Sequence, residues 1–190
     1  MKAKDEQTPL WTLPNRLSIV RILCIPLIVI FIERDFFYGA FFLFIMAGIT
    51  DGLDGFVARR FKLTSKLGLY LDPIADKLLV SSVLITLTYN DLVPLWVTIL
   101  LVCREFIING LRSFYAIEGI TIYPSFSGKL KTTLQIVGIS FILFYHPLTI
   151  LIGLYIIYGA LLFSMHSATL YIIAIFRPKK DEKPAAGDSP

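Results

Sequence analysis

Read for polarity alone, the chain is a series of long apolar runs separated by short polar breaks. The first run covers about Leu17 to Ile32 and is followed by Glu33, Arg34 and Asp35. The second begins at Phe36, stays apolar to Thr50 and continues with helical spacing through several charged residues to about Phe61. The third returns from about Leu67 to Tyr89, and an Asn90-Asp91 turn leads to the fourth, from Leu92 to about Ala116. A fifth opens polar at Ser127, Gly128, Lys129 and Lys131 and is apolar from Ile136 to Tyr145. After His146-Pro147 the sixth is apolar from Leu148 to Phe176. About 20 residues cross a bilayer as a helix, so the pattern predicts an all-α polytopic integral membrane protein with six transmembrane helices. Leu10, Trp11, Leu13 and Leu17, in and beside PLWTLPNR at residues 9–16, predict a short interfacial amphipathic segment ahead of the first span. Residues 1–176 are then expected to form one membrane-embedded domain, and residues 177–190 a polar, proline-rich, disordered tail.

Composition agrees with this reading. The 190 residues are 56% hydrophobic with mean hydropathy +0.73, too apolar for a soluble domain of this size. The N-terminus has no apolar core or small-residue cleavage site, so no cleaved signal peptide is expected. Cys24 and Cys103 lie in apolar segments and are expected to pack, with no disulfide or metal knuckle indicated. A net charge of +4 raises nucleic acid as a partner, but its distribution argues against one. In the six-span threading, 17 of the 18 Lys and Arg residues fall on the side of the termini, and only Arg34 lies opposite. Positive-inside orientation then places both termini and the polar ends of the second, fourth and fifth spans at the cytoplasmic face of a plasma (inner) membrane.

Chemistry concentrates in residues 51–77, DGLDGFVARRFKLTSKLGLYLDPIADK. Asp51, Asp54, Asp72 and Asp76 stand in or beside apolar segments, where a carboxylate is expensive and marks function by default. The pairs are spaced i,i+3 and i,i+4, so each shares a helix face. An antiparallel hairpin turning near residues 63 and 64 sets Asp51 level with Asp76 and Asp54 level with Asp72. Four carboxylates that close cannot all ionise without cations, and hard divalent cations with oxygen ligands answer the need. Small residues (Gly55, Ala58, Gly68) lie beside the acids, and Arg59, Arg60, Lys62 and Lys66 form a basic rim. The combination suggests a metal-assisted diphosphate site.

The spacing D-x2-D-G-x2-A-R-x8-G-x3-D-x3-D is met without departure at Asp51, Asp54, Gly55, Ala58, Arg59, Gly68, Asp72 and Asp76. It resembles the signature of the CDP-alcohol phosphotransferases, integral membrane enzymes of phospholipid synthesis. The resemblance implies attack by an alcohol hydroxyl on the β-phosphorus of a CDP-linked lipid, with CMP leaving. It implies divalent metal, two Mg2+ with Mn2+ as the alternative, held by Asp51, Asp54, Asp72 and Asp76. Asp76 is also the implied general base, and Gly55, Ala58, Arg59 and Gly68 the residues holding the CDP moiety. A homodimer is implied as well.

Arg104, Arg112, Lys129 and Lys131 approach one cavity from the fourth and fifth spans, which suits a phosphate-bearing acceptor. Anchoring to anionic lipid is the plainer reading of such residues. Arg104 and Arg112, eight apart with Ile108 between, favour a directed site. The segments LPNRLSIVRILCIPL, DPIADKLLV, CREFIINGLRSF and GKLKTTLQ resemble the phosphatidylglycerolphosphate synthase branch. That implies CDP-diacylglycerol as donor and glycerol 3-phosphate as acceptor, with Arg104, Arg112, Lys129 and Lys131 on the acceptor phosphate and Asn15 and Arg21 bordering the site. Arg21 reads equally as a snorkelling anchor. The competing readings are another acceptor (phosphatidylglycerol, inositol phosphate, serine), an aspartate/magnesium membrane prenyltransferase, and a small ion transporter. The prenyltransferase would need aspartate motifs on two separated helix pairs, and the transporter often shows internal repeats, of which none is found.

Overall fold

A computed structural model of the chain describes residues 13–61, 66–117 and 126–176, and among these gives residues 13–16, 51–61, 66–73, 116–117, 126–127, 129 and 174–176 as backbone only. Six helices account for nearly all of the described residues, which contain no strand. They are α1 (Leu13–Glu33), α2 (Phe37–Phe61), α3 (Lys66–Tyr89), α4 (Leu95–Ile117), α5 (Phe126–Leu143) and α6 (Pro147–Phe176). Each falls within a few residues of its predicted run. One boundary differs. Residues 13–16, expected in a separate interfacial segment, already belong to α1, because Pro14 sits in the first turn, where its missing N–H costs nothing. The rest of that segment, the expected tail and the reversal at residues 62–65 lie outside the described residues.

The helices stop where backbone chemistry makes them stop. Asp35 adopts φ 58°, and its N–H bonds to the Ile32 carbonyl while Phe36 N–H reaches the Phe31 carbonyl. Asp91 repeats the arrangement at φ 56°, with bonds to Thr88 and Leu87. Both are Schellman caps, and aspartate is among the few non-glycine residues that accept this conformation. The accompanying apolar contact of the first cap is Phe31 against Phe36, edge to face at 5.2 Å. Helix α6 opens with Pro147 at its first position. Ahead of it the His146 carbonyl accepts from Thr149 Oγ1, and the same Oγ1 accepts from His146 N–H. Phe37 stacks on Tyr145 at 3.7 Å, which ties the α1–α2 turn to the α5–α6 turn at one end of the bundle.

Packing brings α1 against both α2 and α3, so consecutive α2 and α3 share no extensive contact among the described residues. Whether the two aspartate pairs stand level, as the hairpin expectation has it, falls on residues 51–73, outside the described side chains. Helices α3, α4 and α5 close the bundle around Phe44, Leu84, Leu87, Leu101, Ile139, Ile142 and Ile157, all fully buried. Thr88 and Thr98 hydroxyls meet at 2.6 Å between α3 and α4. The closest seam is α5 on α6. A Cβ placed at Gly153 would stand 2.7 Å from the Gly138 carbonyl oxygen, so this crossing needs glycine.

The exterior inverts the usual order of a soluble protein. Leu23, Phe42, Tyr155 and Leu162 are each about two-thirds exposed, while Arg21 and Arg104 are 2% and 8% exposed. Among the described residues helix α6 alone is long and apolar enough by composition to cross a membrane, over Pro147–Ile173 with mean hydropathy 2.1. Phe37–Thr50 and Leu130–Leu143 are shorter apolar stretches of helices whose other ends are polar. Ala160, Ser164 and Ala168 form a small-residue ridge along α6, with Ala160 and Ser164 fully buried inside the bundle and Ala168 partly so.

The glycine seam yields a paired test. Gly153→Ala should cost about 1–3 kcal/mol, because the new methyl meets backbone that cannot step aside. On the same helix a Cβ at Gly159 meets nothing within 4 Å, so Gly159→Ala should be neutral or gain up to about 1 kcal/mol. Thermal unfolding of the detergent-solubilised variants checks both.

Candidate active site

Helix α4 is the most amphipathic of the six, and its polar stripe builds the site. Arg104, Glu105, Ile108, Asn109 and Arg112 recur at helical spacing on one face. That face meets Asp76 and Lys77 of α3, Gly128, Lys131, Thr132 and Thr133 of α5, and Ser167 and Tyr171 of α6 around a cavity of about 450 Å³. Among the described residues four cations and two carboxylates line it, an excess of two positive charges.

The charges are joined through Glu105. Its Oε1 lies 3.0 Å from Lys77 Nζ, and its Oε2 pairs with Lys131 Nζ and stands 3.5 Å from Arg104 Nη1. Asn109 Nδ2 donates to Oε1 at 3.4 Å. Lys77 also reaches Asp76 Oδ2 at 2.9 Å, so an unbroken chain of contacts runs from Asp76 to Lys131. Arg104 Nε donates to the Ser164 carbonyl at 3.1 Å, fixing the guanidinium to α6. Arg112 is exposed, with no carboxylate partner among the described residues, and its guanidinium carbon lies 5.9 Å over the Tyr171 ring. Such an arrangement leaves positive charge free to meet an anion.

Of the residues expected in the site, Asp76, Arg104, Arg112 and Lys131 come together in this cavity. Asp51, Asp54, Gly55, Ala58 and Arg59 lie on the C-terminal half of α2, and Gly68 and Asp72 on the first two turns of α3. Their side chains, and that of Lys129 in the first turn of α5, are outside the described residues. Asn15 is likewise outside them. Arg21 is buried in α1, which removes the snorkelling reading, yet it does not line the described cavity. Sequence reasoning passed over Lys77 and Glu105 as site residues, although each adjoins one it named. Ser167 and Tyr171 sit in the most apolar helix, where only their i,i+4 spacing set them apart.

Four carboxylates on two helices are a hard oxygen donor set suited to a divalent cation. Among the described residues no group of three or more metal-ligating side chains assembles, so Asp76 is the one member with a described side chain. It is half-buried at the cavity wall.

Removing the central carboxylate tests the network. Glu105→Gln should destabilise the protein on the order of 3 kcal/mol, since Lys131 would keep a buried charge without its carboxylate and Lys77 would keep only Asp76. Adding Lys131→Met should restore part of the loss, read as non-additivity in thermal unfolding.

Comparison with known proteins extends this geometry. Residues 11–171 match the CDP-alcohol phosphatidyltransferase family. The chain is 37% identical over 152 residues to the CDP-diacylglycerol–glycerol-3-phosphate 3-phosphatidyltransferase of Bacillus subtilis (strain 168), covering 72% of this chain and 79% of that one. The protein of the same name from Rickettsia typhi is 42% identical over 135 residues, covering 69% and 75%. A human cardiolipin synthase (CMP-forming) is 44% identical over 96 residues, half of this chain and 32% of the human one. With the aspartate spacing intact and the match running through all six helices, the chain belongs to the CDP-alcohol phosphatidyltransferase family.

Proposed function

We propose that this protein transfers the phosphatidyl group of CDP-diacylglycerol to glycerol 3-phosphate, giving phosphatidylglycerol phosphate and CMP. The observation that carries the reading is the cavity of net positive charge opening beside Asp76, the last aspartate of the motif. The names of the relatives from Bacillus subtilis and Rickettsia typhi support the choice of donor and acceptor.

In this reading Arg104, Arg112, Lys129 and Lys131 receive the acceptor phosphate. Arginine suits this task because its planar donors match phosphate oxygens in pairs. Asp76, held by Lys77, accepts the proton of the attacking hydroxyl. The new bond forms between that oxygen and the β-phosphorus, the bond from phosphorus to the CMP oxygen breaks, and CMP leaves. Gly55, Ala58, Arg59 and Gly68 hold the cytidine diphosphate. Asp51, Asp54, Asp72 and Asp76 hold divalent metal, two Mg2+ in our reading, whose chemistry when bound is to polarise phosphoryl oxygens and offset developing charge.

The apolar exterior around a charged interior supports a multi-pass membrane protein with a single embedded domain. The charge bias of the connections supports a cytoplasmic site and termini. A homodimer completes the proposal by resemblance to the family. Phosphatidylglycerol as acceptor is the second reading, and the human cardiolipin synthase match favours it over inositol phosphate or serine.

CMP release by the purified protein with CDP-diacylglycerol and Mg2+ distinguishes these, with each acceptor supplied in turn. Glycerol 3-phosphate should drive release, and chelation should abolish it. Asp76→Asn should abolish turnover. Arg112→Ala should raise the acceptor KM roughly tenfold or more, the value of a lost hydrogen bond to a charged group. Release driven by another acceptor would overturn the use made of the cationic cavity.

A further inference from the structure

The α6 wall of the cavity carries a polar group that the proposed reaction does not use. Tyr171 is 8% exposed and lines the cavity, yet its buried hydroxyl has no hydrogen-bond partner among the described residues. Buried tyrosine hydroxyls ordinarily have one, and an orphan calls for an explanation. Packing does not supply it, because a phenylalanine ring would fill the same space. The ring has its own contact. Arg112 lies over it with the guanidinium carbon 5.9 Å from the centroid, within cation–π range. Ser164, Ser167 and Tyr171 recur at i, i+3 and i+7, so they share the α6 face turned toward α4. Tyr171 therefore borders the same space as Arg112, the lining cation with no carboxylate partner among the described residues.

Resting on the transferase reading above, we propose that Tyr171 is an acceptor-binding residue, its hydroxyl donating to the phosphate of the acceptor while its ring holds Arg112 against the same group. A neutral donor suits this position. Among the described residues four cations already line the cavity, and a further one would add repulsion, whereas an O–H adds a directed bond at no cost in charge. The acceptor phosphate then supplies the partner that the hydroxyl lacks among the described residues.

Tyr171→Phe separates the hydroxyl from the ring. In CMP-release kinetics the acceptor KM should rise about tenfold, the usual worth of a hydrogen bond to a charged group, with kcat and the donor KM within about twofold of the unmutated protein. Thermal unfolding without acceptor should be unchanged or rise by about 2 °C, since an unpartnered buried hydroxyl has been removed. Tyr171→Leu loses the ring too, and its acceptor KM should approach that of Arg112→Ala. An unchanged acceptor KM in Tyr171→Phe, or a fall in thermal stability with kcat lowered and KM unmoved, would overturn the proposal. If the unmutated protein prefers another phosphate-bearing acceptor, the same comparison on that acceptor decides the matter. Absence of release with every acceptor would overturn the transferase reading and this one together, whereas an active protein indifferent to Tyr171→Phe overturns this one alone.

Discussion

A single carboxylate holds the functional end of this bundle together. Glu105 meets Lys77 from α3, Lys131 from α5 and Arg104 from its own helix, and Arg104 in turn is bonded to α6. Charges enclosed by an apolar exterior must be paired, because uncompensated charge there costs several kcal/mol per group. The registers of α3, α4, α5 and α6 are thus coupled at this level. A one-residue slip in any of them would rotate a cation out of reach. Among the described residues the pairing is also incomplete, with four cations to two carboxylates around the cavity.

The two ends of the molecule divide the labour. At one end the α1–α2 and α3–α4 turns are closed by aspartates in left-handed conformation, and the Phe37–Tyr145 stack joins the first of them to the α5–α6 turn. Between the ends the Gly138–Gly153 contact lets α5 and α6 lie nearly backbone to backbone. These contacts are apolar or local, and none needs a ligand. The cavity occupies the other part of the bundle, where α4 and α5 turn polar. The packing of that first end thus rests on residues that do not line the cavity.

Much of this was legible in the sequence, for reasons that can be named. Six apolar runs of helix length gave six helices, because length and hydropathy are additive along a chain. Arg104 and Arg112 were placed on one face by spacing alone, and both line the cavity. What could not be read depends on the third dimension. Arg21 admitted two readings until α1 was seen to pack against both α2 and α3, where its side chain is buried. Glu105 looked like one more charge on a polar half-helix, and only the arrival of α3 and α5 makes it the shared partner. Tyr171 was hidden because α6 is apolar nearly all round, so periodicity carries no signal for the side facing the cavity.

The Arg104 anchor has a consequence for how such a site can change over time. Its acceptor on α6 is the main-chain carbonyl of residue 164, not the serine hydroxyl. A backbone oxygen is present whatever the side chain, so drift at position 164 cannot delete the partner of the guanidinium. The serine is fully buried, and selection there acts on volume, admitting residues small enough to let α4 and α6 keep their separation. The cation is thereby tied to the path of a helix and not to the identity of a neighbour, and a lineage could revise the chemistry of that ridge while leaving the arginine where it is.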